Sequence, residues 1–190
     1  SMTSCGMLGY TPRMKSQKHL VLFAVVALLL VLVGMLVWVY AKKGEDAKVR
    51  AEVEAMAKAW ETGDDALLDS LLHPDVVFAY PGRRLTKAQA LDDLRYFRDA
   101  YVDTKVYVHT VIVNGDKVAV EWQFATTNKT TGKREVVSDA IIAHRKDGKF
   151  DVWKEYLDGR VKGLQAEGKL ELEEGMEPFP WPTKIEIRAE

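Results

Sequence analysis

Two aspartates stand where a β-sheet ordinarily places apolar or β-branched side chains. Residues 136–159 read VVSDAIIAHRKDGKFDVWKEYLDG, two strand-like runs around the turn signal Asp147-Gly148. The first run carries Asp139 in mid-strand and the second ends on Asp158. Burying a carboxylate is costly unless it is paired, and desolvation raises its pKa toward the range useful for acid–base work. His109, in the strand-like run Lys105–Val113, is a third group able to carry a proton. Asp139, His109 and Asp158 are therefore the candidate catalytic residues. A strand-end cap accounts for Asp158 as well as proton transfer does, and a structural sheet histidine is a competing reading of His109. No His/Glu/Asp spacing resembles a zinc site, and Ser or Cys nucleophile arrangements and Gly-rich phosphate loops are lacking, so neither metal nor cofactor is expected.

The elements that must position these groups follow from periodicity. Glu45–Glu61 repeats apolar residues at helical spacing (Val49, Val53, Met56, Trp60), and Asp64 can cap a second helix bearing Leu67, Leu68, Leu71 and Leu72. Asp75–Tyr80 reads as a strand closed by Pro81-Gly82, and Thr86-x-x-Gln89 opens a third helix with Leu91, Leu94 and Phe97. The pattern then turns to sheet: Lys105–Val113, Lys117–Thr127, Arg134–Arg145 and Phe150–Asp158, separated by hairpin signals. Helices followed by an antiparallel meander predict an α+β domain. Tight turns at Asn114-Gly115 and Asp147-Gly148 place Tyr107 opposite Trp122 and Asp139 opposite Tyr156, and a four-residue loop at Lys129–Gly132 places Trp122 opposite Asp139. One face then gathers Tyr107, His109, Trp122, Phe124, Asp139, Tyr156 and Asp158, and Trp153 and Glu155 fall on the other. With Trp60, Tyr80 and Phe97 from the preceding elements, the aromatic members of the first face are the predicted lining of a pocket.

The chain has 190 residues, 47% hydrophobic and 29% charged, with a formal net charge of −1. No single-sign run marks a nucleic-acid surface, and the single cysteine, Cys5, rules out an intramolecular disulfide. Leu20–Tyr40 (LVLFAVVALLLVLVGMLVWVY) is uncharged. At about 1.5 Å per residue it spans about 31 Å, the thickness of a bilayer's hydrocarbon core. Trp38 and Tyr40 stand at its end, where aromatic rings favour the headgroup level. It is expected to be a single transmembrane helix, with the soluble domain on the non-cytoplasmic side. Asn128-Lys129-Thr130 is a glycosylation acceptor if that side is a eukaryotic lumen.

Trp60-Glu-Thr-Gly-Asp64, His73-Pro-Asp-Val-Val-Phe78, Pro81-Gly82, Asn114-Gly-Asp-Lys-Val-Ala-Val-Glu-Trp122, Thr131-Gly132, Asp147-Gly148-Lys149 and Glu155-Tyr-Leu-Asp158 occur in this order over about Val49–Gly159. Together they resemble the SnoaL-like domains of the nuclear-transport-factor-2-like superfamily. The resemblance implies a cone-shaped, curved antiparallel sheet packed on three helices around a deep pocket, often dimeric through the outer sheet face. It also implies relatives among cofactor-free isomerases, cyclases and epoxide hydrolases, beside non-catalytic interaction modules. The expected organisation is an N-terminal tail (1–19), a transmembrane helix (20–40), the SnoaL-like domain (45–160) and a partly ordered tail (161–190) carrying a candidate edge strand. The expected function is binding of a small apolar molecule, with or without acid–base chemistry. The alternative is a protein-interaction module of a membrane assembly using Trp153, Ile142 and Phe179–Trp181.

Overall fold

The computed structural model describes residues 14–172 and 174–178, with side chains from Val21 onward. The weakly alternating stretch 184–188, one of two places for the candidate edge strand, and the contact segment Phe179–Trp181 lie outside them. Helix α1 (Met14–Thr62) carries both the apolar stretch and the helix expected over Glu45–Glu61. The chain divides into two units between Asp46 and Ala47.

In the first unit every side chain from Val21 to Tyr40 is exposed, and the mean hydropathy of an 18-residue stretch of the helix reaches 3.1. It is the one helix among the described residues long and apolar enough to cross a membrane.

The second unit is an α+β domain. The C-terminal part of α1 turns Val49, Val53 and Met56 into the core at the spacing of one helix face. Helix α2 (Asp65–Leu71) starts where the Asp64 carboxylate accepts from Leu67 N at 2.9 Å. Strand β1 (Leu72–Tyr80) and the short β2 (Arg83–Leu85) precede helix α3 (Lys87–Ala100), which opens on a capping box of Thr86 and Gln89. Strands β3 (Tyr101–Asn114), β4 (Lys117–Asn128), β5 (Arg134–Lys146) and β6 (Lys149–Tyr156) follow, then helix α4 (Arg160–Glu167). No strand forms at 169–172, where an edge strand was a candidate.

The six strands form one sheet in the order β2-β1-β6-β5-β4-β3. It is antiparallel except where β1 and β6 run parallel. The long excursion through α3 and four strands is the crossover a parallel pair needs. The inner face carries the core: Trp122, Trp153, Phe78, Phe150 and Ile141 are all fully buried with Met56, Leu68 and Leu94 from the helices.

Register departs from expectation at two bulges. The first hairpin turns at Gly115-Asp116, pairing Asn114 with Lys117, with Gly115 at φ 59. That places glycine first in the two-residue loop, as a type II′ turn requires. The pairing shifts by two residues and keeps its faces as far as Val111 opposite Val120. Then the register slips by one between Val108 and Thr110, and Val108, not Tyr107, lies opposite Trp122. The second hairpin turns at Asp147-Gly148 as expected, but a slip between His144 and Arg145 sets Ala140, not Asp139, opposite Tyr156. Only the middle loop holds its expected register, with Trp122 opposite Asp139. A one-residue slip sends every later side chain of that strand to the other face.

The outer face is partly covered by the chain's own C-terminal segment. Gln123 Nε2 donates to Met176 O at 2.7 Å, Tyr107 OH donates to Glu177 at 3.0 Å, and Arg134 forms a two-pronged ion pair with Glu177. Ile112, Ile142 and Tyr156 remain exposed on that face.

Candidate functional site

A cavity of about 420 Å³ opens between the inner sheet face and the helices. Trp60, Phe97, Trp122, Phe124 and Tyr80 supply its walls, and Asp139, Glu155 and, at the rim, Asp93 its acids. The volume suits a small organic molecule.

The two carboxylates lie on neighbouring strands, each held by an indole. Trp122 Nε1 donates to Asp139 Oδ2 at 3.2 Å, and the backbone N–H of Tyr156 donates to Asp139 Oδ1 at 3.0 Å. Trp153 Nε1 donates to Glu155 Oε1 at 2.9 Å. The two indole rings pack with centroids 5.5 Å apart. Asp139 is only 5% exposed, and burial is the main cause that lifts its carboxyl well above the usual carboxylate range against the pull of its two donors. Burial also raises Glu155, and the charge of Asp139 raises it further. Two acids that repel each other's ionisation hold a proton between them where a solvated carboxylate would have lost it. Such a pair can take a proton from a ligand and return it.

At the rim Tyr80, Asp93 and Arg83 are tied to one another. Tyr80 OH donates to Asp93 Oδ2 at 2.5 Å, and burial together with this carboxylate pushes the phenol up to about 12. Arg83 lies 3.6 Å from the other Asp93 oxygen. Helix α4 sends Lys162 to the wall, where burial lowers its pKa and Glu135 opposes that.

The family model described as a SnoaL-like domain matches residues 53–153. The chain belongs to the SnoaL-like family. Solved structures share the fold at low identity. TsrD from Streptomyces laurentii is 22% identical with a TM-score of 0.57, covering 63% of this chain and 95% of its own. An LEH-like epoxide hydrolase from M. tuberculosis is 20% identical with a TM-score of 0.56, covering 64% and 91%. A protein of ketosteroid isomerase-like fold from Catenulispora acidiphila, solved with trimethylamine, is 18% identical with a TM-score of 0.57, covering 61% and 92%. No curated protein matches the sequence.

Within this SnoaL-like domain, Asp139, Trp60, Tyr80, Phe97, Trp122 and Phe124 meet around the cavity as the sequence suggested. Four others do not. His109 and Tyr107 lie on the outer face because the bulge at His109 reverses the alternation. His109 Nδ1 is 2.8 Å from Glu121 Oε2, and this hydrogen bond holds Glu121 below its usual range. Tyr107 clasps Glu177. Tyr156 is 58% exposed on the outer face, and only its backbone serves Asp139. Asp158 caps the strand end, where Arg160 draws its pKa down to about 2. Trp153, expected on the outer face, is fully buried inside.

Glu155 and Lys162 were missed. The parity that would bury Tyr156 also buries Lys154, and the parity that would bury Tyr107 and His109 also buries Lys105. Two lysines forced into an apolar hollow were the available sign that both strands change face. Lys162 carried no such sign, because the sequence past Gly159 has only weak periodicity.

A second hollow of about 420 Å³ lies between the outer face and the C-terminal segment. Apart from Asp139, which lines both, its acids Glu121 and Asp158 are already paired with His109 and Arg160. The unspent acid–base capacity belongs to the inner cavity. Among the described residues no group of three or more His, Cys, Asp or Glu is arranged to hold a metal ion.

The raised carboxylates predict a pH dependence of stability. The folded domain retains protons on Asp139 and Glu155 that an unfolded chain, with carboxylate pKa values near 4, has released. The resulting stabilisation is fully present below about pH 4 and is lost as pH rises through the pair's raised values. Urea unfolding from pH 4 upward should show this decline in the wild type and a flatter profile in a D139N/E155Q variant. Equal slopes would show that the pair is not perturbed.

Proposed function

We propose that this SnoaL-like domain binds a small, largely apolar molecule in the inner cavity and moves a proton on it with the Asp139–Glu155 pair, without a metal or organic cofactor. The observation that carries the reading is the conjunction of an aromatic cavity with two acids whose protons are held into the physiological range. An isomerisation, cyclisation or hydration needs no more from a protein than such a pair and a water-poor wall. Asp139 and Glu155 are the proposed catalytic residues, because both line the volume a ligand would fill. Trp122 and Trp153 are positioning residues that orient them. His109 and Asp158 have no part in it, since their side chains engage Glu121 and Arg160 away from the cavity.

The cavity favours this reading over a purely structural module, for which a side-chain-filled cone would be the signature. Self-association is compatible with it. We place a homodimer contact on the part of the outer face that the C-terminal segment leaves open, around Ile112, Ile142 and Tyr156, which are 60%, 51% and 58% exposed. We also place the apolar helix across a membrane with the domain on the non-cytoplasmic side, an arrangement suited to a ligand dissolved in lipid. In that setting the acceptor triplet is a poor glycosylation site. Asn128 Nδ2 donates to the buried Glu135 at 3.1 Å, and Asn128 Oδ1 accepts from Thr130 N and Thr131 N.

Native mass spectrometry of the detergent-extracted chain should show a copurified small molecule. V137F, which thrusts a ring into the cavity, should lose it, and the outer-face variant I142S should keep it. Retention in V137F would move the site elsewhere. With the compound in hand, D139N and E155Q should each lower kcat by about 10²–10⁴ with little change in KM. Sedimentation equilibrium should give a dimer mass for the wild type and a monomer mass for an I112S/I142S variant, whereas a monomeric wild type removes the proposed contact. Carbonate-washed membranes should retain the full chain and release a chain lacking residues 1–44, and release of both would remove the anchor.

A further inference from the structure

The inner cavity and the outer hollow stand on opposite faces of one sheet, yet Val137, Asp139 and Leu157 line both. An unbroken sheet forbids this. Paired strands lie about 4.7–4.9 Å apart, and their hydrogen bonds close the space between them. The sharing occurs where the pairing stops. The β5–β6 ladder ends at Ala140 opposite Tyr156, and Gln165 of α4 takes up the β5 edge at Val136 N. Val137, Ser138 and Asp139 lie between those two points and border a gap. Side chains span it where a strand's backbone would otherwise run. The Asp139 carboxylate accepts from Tyr156 N at 3.0 Å, and Leu157 is the next residue along the chain.

Leu157 is placed to open and close that gap. Strand β6 ends at Tyr156 and α4 starts at Arg160, so neither element holds Leu157. It is half-buried, and it also borders a third hollow with Pro81 and Lys154, which gives its side chain room to swing. Such a side chain changes rotamer within nanoseconds, far faster than a paired ladder opens. Beyond the gap the walls are mostly apolar. Val136, Val161, Leu170 and Met176 line the outer hollow, and its acids Glu121 and Asp158 are engaged by His109 and Arg160. The bonds of Met176 to Gln123 and of Glu177 to Arg134 hold the C-terminal segment over it. Leu157, Val161, Leu170 and Met176 all lie past residues 53–153 that match the family model. A linear hydrocarbon arm suits these walls and is the slimmest apolar shape that could cross a gap between side chains.

We propose that the gap between β5 and the end of β6 is a passage through the sheet gated by Leu157, and that the ligand is elongated, with a ring-sized body in the inner cavity and a linear alkyl arm in the outer hollow. The proposal rests on the reading of the inner cavity as a ligand site and names the ligand class for it. With Leu157 across the gap the cavity ends at Asp139 and takes compact molecules. With Leu157 swung aside the same cavity takes a molecule whose arm continues past Val137 to the C-terminal segment. Leu157 is thus the residue that sets the permitted length, and the C-terminal segment is the far wall of the site.

The test uses the full-length chain in detergent micelles and two photoactivated probes, a naphthalene bearing a diazirine at the end of either a propyl or a decyl chain. Mass spectrometry of the digested protein locates the label. The propyl probe should label Phe97 or Tyr101, which line the inner cavity and not the outer hollow. The decyl probe should label Leu170 or Met176, which line the outer hollow and not the inner cavity. Excess naphthalene, by filling the inner cavity, should remove both labels at the same concentration. A decyl label absent from Leu170 and Met176, beside a propyl label in the inner cavity, overturns the passage and leaves the cavity reading standing. So does a label at Leu170 or Met176 that the propyl probe gives equally or that survives naphthalene, since the outer hollow then fills by itself. A propyl label absent from Phe97 and Tyr101 overturns both readings. L157W should lower the ratio of decyl label at Leu170 and Met176 to propyl label in the inner cavity about tenfold, the scale of overpacking a narrow gap, and L157A should raise it. An unaltered ratio in L157W overturns the gate. If L157W takes no propyl label its cavity is broken, and L157A decides: a ratio no higher than that of the wild type overturns the gate.

Discussion

The inner sheet face sets two carboxylates among aromatic side chains, and the rest of the site depends on how they are kept there. Each receives one indole N–H, Asp139 from Trp122 and Glu155 from Trp153, and Asp139 also takes the Tyr156 amide. One or two hydrogen bonds are enough to hold an acid in place but too few to stabilise its charge in a water-poor wall. A structural carboxylate can instead be met by arginine, as the partly exposed Glu52 is met by Arg145 at 2.9 Å in this chain. The contrast separates an acid paired into silence from a pair left with protons to exchange.

This arrangement also explains why the sheet bends where it does. Trp122 and Trp153 lie on β4 and β6 with β5 between them, and their rings are in contact across it. Trp153 and Glu155 share the inner face with Asp139 only because β6 slips by one residue against β5 beyond Arg145. Without that bulge Tyr156 would face inward and Glu155 would stand in water beside Ile142. The bulge at His109 has the same effect on β3, bringing Val106 and Val108 inward and sending Tyr107 out to clasp Glu177.

The global pattern was therefore readable from the residues, and the local exceptions were not. Helical spacing at Val49, Val53 and Met56, the Thr86–Gln89 capping box and the Asp147-Gly148 turn each impose one geometry through short-range forces. The pairing of Trp122 with Asp139 followed from loop length alone. A bulge carries no residue type of its own, since it answers to burial along the whole strand. Its trace was the lysine at position 105 or 154 that strict alternation would have buried. Lys162 depends on the docking of α4, a long-range matter that no local pattern on either side announces.

That docking follows from a strand that stops early. Pairing between β5 and β6 ends at Ala140 with Tyr156, leaving the N-terminal half of β5 with an open edge. An unpaired backbone edge must be satisfied or solvated. Helix α4 meets it with a side chain, Gln165 Oε1 accepting from Val136 N at 2.9 Å. A seventh strand there would have continued the ladder and sealed the hollow with backbone. A helix held there by Gln165 and by the Lys162–Glu135 ion pair instead brings long side chains over the opening, and Lys162 reaches the Phe97–Phe124 pair three residues before Gln165 on the same turn. The edge that had to be covered and the cation that faces the cavity are thus two consequences of one choice of element.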